Sequence, residues 1–220
     1  LQFSFLKGEP TKNEPTKFAD KVSVHIILAS ASPRRKLLLQ QAGYDVLVCP
    51  SQASELISHP DGPGALTVAN ARFKVHSIYQ TRLPHREEII LGADTVVCLN
   101  NEIFGKPKDR MEAESMLTRL AGRWHEVVTG VCLQGTPLDS SKTEFFEITR
   151  VLFHPLKLSE IRSYLDTIHP YDKAGAYAAQ EGGERIIAAM EGSFSNVMGL
   201  PMEELSSILL EAHNFKTTLF

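Results

Sequence analysis

The chain has 220 residues, 43% hydrophobic and 22% charged, which suits one large globular domain or one elongated domain with two lobes. A formal net charge of −3 with eight histidines argues against a nucleic-acid binder working by bulk electrostatics, while leaving room for a small nucleotide in a local basic pocket. Cys49, Cys98 and Cys132 show no CxxC spacing and read as reduced, buried thiols of an intracellular, cytoplasmic protein; no apolar run approaches the ~20 residues of a membrane span.

Residues 1–21 are polar after a brief apolar start and carry EPTK twice, the pattern of a flexible arm ahead of a domain over 22–220. That segment has no Arg and carries acidic residues, so a transit peptide is not expected. Val24, Ile26, Ile27 and Leu28 form a short apolar run that predicts a buried strand. After Ala29-Ser30-Ala31-Ser32 a helix is expected, with Ser32 as N-cap, Pro33 at the first position, Leu37, Leu38, Leu39 and Ala42 as its apolar face, and Gly43 as its stop. Arg34 and Arg35 then fall in the first turn, where the helix dipole disfavours cations by roughly 0.3–1 kcal/mol each. Free backbone N–H groups, serine hydroxyls and two guanidinium forks converging there make a site for a polyanion. The alternative is that one or both arginines are solvated or paired with carboxylates. Neither GxxxxGK[ST] nor GxGxxG occurs.

Residues 44–48 predict a second strand, followed by a loop that carries Glu55 towards the breaker-rich run HPDGPG at 59–64. Residues 66–79 are helical in pattern, with Lys74 at a polar position. The stretch 88–99 reads as a strand buried on both faces and broken by one carboxylate, Asp94. An unpaired buried carboxylate is costly, so Asp94 calls for a metal, a cation or an open strand end; Gly92 lets another group approach the backbone there. A local cap or turn role is the alternative.

Asn100-Asn101 predicts a hairpin turn, and residues 109–121 a helix begun by Asp109, with its methionines in the core. Residues 124–133 and 144–153 form an antiparallel hairpin around a turn at 135–141. A helix is expected over 158–168 with Ser159 as N-cap, a strand over 185–190, a polar loop over 192–199 and a closing helix over 202–212. His125 and His154 are isolated and read as structural. The order of elements suggests an α/β protein with a mixed central sheet flanked by helices.

Six separated motifs carry a resemblance: Ser30-Ala-Ser32-Pro-Arg34-Arg35, Gly92-Ala-Asp94-Thr95, Gly105-Lys106-Pro107, Gly122-Arg-Trp-His125 through Thr129-Gly130, Asp172-Lys173-Ala-Gly-Ala-Tyr177 to Gln180, and Gly192 through Pro201. Together they resemble the Maf family, in that family's order, over about residues 25–212. The resemblance implies a nucleoside triphosphate pyrophosphatase similar in fold to inosine triphosphate pyrophosphatases, one elongated two-lobed domain with a cleft. It implies cleavage between the α- and β-phosphates with Mg²⁺ or Mn²⁺, a homodimer, and the branch acting on dTTP and UTP. It places Arg34, Thr95 and Gln180 at specificity positions, Asp94 as proton acceptor, Glu55 as a second carboxylate, and Lys74, Lys106 and Lys173 in the pocket. Gln180-Glu181-Gly182-Gly183 departs from the family's Gln-Gly-x-Gly run, a change aimed at base preference rather than reaction class.

These residue types suit the chemistry. A triphosphate brings about four negative charges, which Arg34, Arg35, the helix N-terminus and two or three lysines can neutralise, with the Ser30 and Ser32 hydroxyls beside them. A divalent metal held by Glu55 and Asp94 would polarise the α-phosphorus; whether Asp94 serves as base or as ligand stays open at this level. Two other readings compete. One is a non-catalytic nucleotide-binding regulator of cell division, which needs no carboxylate pair. The other is a phosphatase with an aspartyl nucleophile, which would ordinarily want a second carboxylate on the strand where Asp94 is followed by Thr-Val-Val.

Overall fold

A computed structural model describes residues 24–85, 88–135 and 143–217. The arm at 1–21 and most of the turn at 135–141 lie outside the described residues.

The chain runs β1 (His25–Leu28), α1 (Pro33–Gln41), β2 (Asp45–Val48), α2 (Gly62–Thr81), β3 (Glu88–Leu99), β4 (Glu102–Phe104), α3 (Arg110–Leu120), β5 (Trp124–Gly135) and β6 (Thr143–Phe153). It continues through α4 (Leu158–Leu165), three 3₁₀ turns (Pro170–Asp172, Ala174–Ala176, Gly183–Arg185), β7 (Ile187–Glu191), α5 (Phe194–Val197) and α6 (Met202–Thr217). The sheet is mixed, as expected. Its order is β2-β1-β3-β5-β6-β7, with β4 also on β3; β1 runs parallel to both β2 and β3, and the remaining pairs are antiparallel.

The sheet's most consequential feature is one edge of β3. The β1 ladder along that edge ends at Leu91, and the β4 ladder begins only at Val97. Between them the edge lies open at Asp94 and Thr95, while β5 pairs along the whole opposite side. A polar group can stand on a central strand at such a gap, because the diverging neighbours leave a crevice. The core divides at the same place. Leu91 and Ala93 pack with β1, Leu39 and α6, whereas Val97 and Leu99 pack with α3, α4 and Tyr177.

Helix α2 covers the opposite face of the sheet from α6, and two glycines set how close it comes. A Cβ on Gly92 would stand 2.3 Å from the Ala71 carbonyl oxygen, and one on Gly130 would stand 2.3 Å from the Thr67 carbonyl carbon. The close approach that Gly92 suggests in sequence is therefore made by α2.

Several local expectations need correction. Leu37 is 42% exposed and Arg35 only 8%, so α1 buries a cation of its first turn and turns a leucine of its expected apolar face outward. The breaker-rich run contains the start of α2, because Gly62 and Gly64 tolerate the entry and Pro63 fits the first turn. Helix α4 starts after Lys157, whose backbone N–H donates to Glu160; Ser159 is already inside it. The strand expected over 185–190 begins at Ile187 after a 3₁₀ turn, and the loop over 192–199 contains α5, capped by the Ser193 hydroxyl. Of the two methionines of α3, Met116 is buried and Met111 is 78% exposed. Cys98 and Cys132 are buried and Cys49 half-buried, and the Cys132 thiol donates to the Glu144 carboxylate at 3.6 Å.

Candidate active site

A cavity of about 360 Å³ opens at the gap in β3, within the range of small-ligand sites. Ser30, Ser32, Arg34, Arg35, Glu55, Lys74, Asp94, Thr95, Lys106, Lys173 and Gln180 all line it. Every site residue expected from the sequence therefore reaches one space, from six separate segments.

Asp94 is 8% exposed, and both of its oxygens are engaged. Lys74 donates to Oδ1 at 2.8 Å and Asn70 to Oδ2 at 2.9 Å. The Lys74 ammonium also donates to the Ala93 carbonyl at 3.1 Å and pairs with Glu55 Oε1 at 2.7 Å. Its three protons are thus committed inside the protein, so Lys74 faces the cavity as the counter-ion of two carboxylates. Asn70 lies four residues before Lys74, on the same face of α2. Its carboxamide accepts from the Leu56 N–H at 2.7 Å and donates back to the Leu56 carbonyl at 3.0 Å. One side chain therefore ties the loop that carries Glu55 to the carboxylate of β3.

The two arginines of α1 differ sharply. Arg34 is half-buried and donates to the Asp172 carboxylate at 3.0 Å. Lys173 bonds the same carboxylate at 2.9 Å and the His169 carbonyl at 2.8 Å, with Glu181 at 3.6 Å. Burial pushes the Asp172 carboxyl up, but the bond and charge of Lys173 and the Arg34 guanidinium outweigh it and hold the group below its ordinary value.

Arg35, by contrast, donates only to neutral oxygens: the Gly199 carbonyl at 2.8 Å, Ser30 Oγ at 3.0 Å and Thr95 Oγ1 at 3.0 Å. Among the described residues no carboxylate comes within ion-pair distance of it. Burial lowers its pKa, and the nearby Asp94 charge offsets part of that. Three of its five N–H groups are used, leaving two. A desolvated guanidinium without a bonded anion is a waiting anion site.

Ser32 is the N-cap of α1 in extended conformation, with no capping bond from its hydroxyl. Ser30 accepts from both Arg35 and the Ser32 N–H, so it shapes the loop as well as facing the cavity. Lys106 and Gln180 are exposed at the rim. His125 is structural, as expected: it is buried against Phe153 and Tyr177, shares a hydrogen bond with the Tyr177 hydroxyl at 3.0 Å, and burial lowers its pKa to about 4.

Residue-by-residue reading missed Asn70 and undervalued Asp172. The helical spacing of Asn70 to Lys74 is the one local signal for the first. The contact of Arg34 with Asp172 joins positions 138 residues apart and leaves no local trace.

Asp94 and Glu55 supply hard oxygen donors meeting at one ammonium, and among the described residues no third His, Cys, Asp or Glu joins them. That donor set suits Mg²⁺ or Mn²⁺ shared with ligand oxygens better than a closed protein cage.

The chain matches the model described as Maf-like protein over residues 25–212. It is 43% identical over 182 residues to a dTTP/UTP pyrophosphatase of Desulfitobacterium hafniense, covering 81% of each chain. It is 41% identical over 194 residues to one of Anaeromyxobacter sp., covering 87% of this chain and 91% of the relative. Among solved structures, a nucleoside-triphosphatase / dITP/XTP pyrophosphatase of Mycobacterium abscessus aligns over 89% of this chain and 99% of its own at 11% identity, with a TM-score of 0.43. The match in sequence runs from β1 into α6 and takes in every segment of the cavity: the chain belongs to the Maf-like protein family.

Proposed function

We propose that this chain is a nucleoside triphosphate pyrophosphatase acting on dTTP and UTP, releasing a nucleoside monophosphate and pyrophosphate. The relatives named above are pyrophosphatases of that kind. The observation that carries the reading is the pairing of a buried, anion-free Arg35 with a carboxylate pair across one cavity. Arginine without an anion calls for phosphate, and a carboxylate fixed by two donors is a base held in place and aimed.

In this reading Arg35 takes phosphate oxygens with its two remaining N–H groups, and the first-turn amides of α1 add neutral donors. Arg34 and the buried Lys173 line the cavity with Asp172 as their resting partner; phosphate competes with that carboxylate. Water attacks the α-phosphorus, the bond from that phosphorus to the bridging oxygen breaks, and pyrophosphate leaves. Asp94 orients the water and takes its proton, while Lys74 and Asn70 fix both carboxylate oxygens. Glu55 and Asp94 would hold a divalent metal, which when bound supplies Lewis-acid stabilisation of charge on the phosphates. Lys106 and Gln180, at the rim, belong to leaving-group and base recognition respectively. A homodimer rests on family resemblance and a cytoplasmic setting on the pattern of the three cysteines; sedimentation giving only monomer mass removes the dimer.

The test is product analysis with purified protein, Mg²⁺ or Mn²⁺, and a panel of dTTP, UTP, CTP, GTP, ITP and 7-methyl-GTP. Monophosphate with pyrophosphate from dTTP or UTP is the expected result. The same products from another base overturn the specificity, orthophosphate overturns the bond cleaved, and tight binding without turnover leaves a nucleotide-binding regulator.

A further inference from the structure

The three neutral partners of Arg35 have partners of their own, and following their protons leads away from the cavity. Thr129, on β5 opposite Thr95 and fully buried, donates its hydroxyl proton to the Asn196 carbonyl at 3.1 Å, since a carbonyl can only accept. The Thr95 and Thr129 oxygens are 2.9 Å apart. With the Thr129 proton already committed, Thr95 must be the donor in that bond. Thr95 in turn accepts from Arg35. The polarity of the whole chain is therefore fixed: Arg35 to Thr95, Thr95 to Thr129, Thr129 to the Asn196 carbonyl.

The far end is anchored too. Asn196 begins its hydrogen bonding where α5 is capped, and its side chain donates to the Val127 and Glu147 carbonyls at 3.1 and 3.3 Å and to Thr149 at 3.0 Å. The same α5 segment runs on to Gly199, whose φ of +108° turns its carbonyl onto Arg35 Nε. Two arms from one segment thus hold the guanidinium, one directly through Gly199 and one through the two threonines.

We propose that Thr129 is a positioning residue for Arg35, setting the orientation of Thr95 so that the two unused guanidinium N–H groups face the phosphates. This rests on the function proposed above only in naming the phosphates as the ligand. A consequence for Thr95 follows directly. Its proton is spent on Thr129, so towards a substrate Thr95 offers an acceptor lone pair and no donor.

The experiment compares wild type with Thr129→Val and Thr129→Ser, measuring kcat and KM for dTTP and inhibition by pyrophosphate and by thymidine. In Thr129→Val the KM and the pyrophosphate inhibition constant rise about tenfold, the scale of one hydrogen bond in a charged site, with a smaller change in kcat. Thymidine, which has no phosphate, inhibits as in wild type. Thr129→Ser keeps the hydroxyl and stays within about twofold of wild type. If the valine variant does not fold, Thr129→Ala removes the same hydroxyl without a methyl against the Asn196 carbonyl and carries the same expectation. Unchanged pyrophosphate inhibition in the folded hydroxyl-free variant overturns the proposal, as does equal loss in Thr129→Ser. A wild type that turns over neither dTTP nor UTP defeats the proposed reaction, while its pyrophosphate binding still decides the role of Thr129.

Discussion

Within the cavity, residues of the same type do different work because their hydrogen-bond partners differ. Arg34 and Lys173 share Asp172, Lys74 is enclosed by Glu55 and Asp94, and Arg35 meets only neutral oxygens. In the proposed reaction Asp94 carries the central role, its two oxygens fixed by donors from α2. Asp94→Asn keeps the shape but removes the charge and the proton acceptor. It is expected to lower kcat by at least about a hundredfold, the lower range for a positioned general base. Lys74 keeps Glu55 as a partner, but the new NH₂ group stands against the Asn70 or Lys74 donor, so stability should fall by about 1–3 kcal/mol while the protein still folds. Pyrophosphate release and thermal unfolding measured together check this; a folded Asp94→Asn protein with near-normal turnover removes Asp94 from the mechanism.

Packing of α2 on β3 and β5 sets the distance from Lys74 and Asn70 to Asp94. That packing depends on the missing Cβ at Gly92, where the Ala71 carbonyl fills the space. Gly92→Ala forces α2 outward and is expected to cost about 1–3 kcal/mol, the range of overpacked cores. For a domain of this size that is a midpoint loss of roughly 2–4 °C per kcal/mol. Turnover should fall in the same variant, because the helix that moves carries both donors to Asp94. Gly105→Ala is the control: it has open space around the new Cβ and no left-handed backbone requirement. Equal melting of the two variants would show that the Gly92 contact does not limit the packing.

For the molecule as a whole, the buried His125 predicts an acid limit to stability. Burial lowers its pKa from 6.5 to about 4, so the folded chain keeps the ring neutral where the unfolded chain takes a proton. Stability on this account is complete above about 6.5, falls as pH drops towards 4, and changes no further below, by on the order of 3 kcal/mol in all. His125→Gln keeps a polar partner for Tyr177 without the titration. Urea unfolding at pH 7 and pH 4.5 should show a smaller loss in the variant; identical losses would assign the acid sensitivity to the carboxylates instead.

The long elements were legible because their patterns are local. The apolar run of β3, the Asn100-Asn101 turn with both residues at positive φ, and the Asp109 cap whose side chain accepts from the Glu112 N–H each follow from a few adjacent residues. The members of the cavity were legible too, because a phosphate site has a characteristic residue chemistry and the family motifs mark its segments. What the chain order could not hold was partnership. That Arg35 lacks an anion while Arg34 has one, that Lys74 is spent between two carboxylates, and that Thr129 fixes the proton of Thr95 all depend on contacts between distant segments. Sequence by itself determined which groups are available and on which elements they ride. Tertiary structure decided which donor meets which acceptor, because that choice is made by the gap in the β3 edge and the close packing of α2, and both arise only when the whole sheet is assembled.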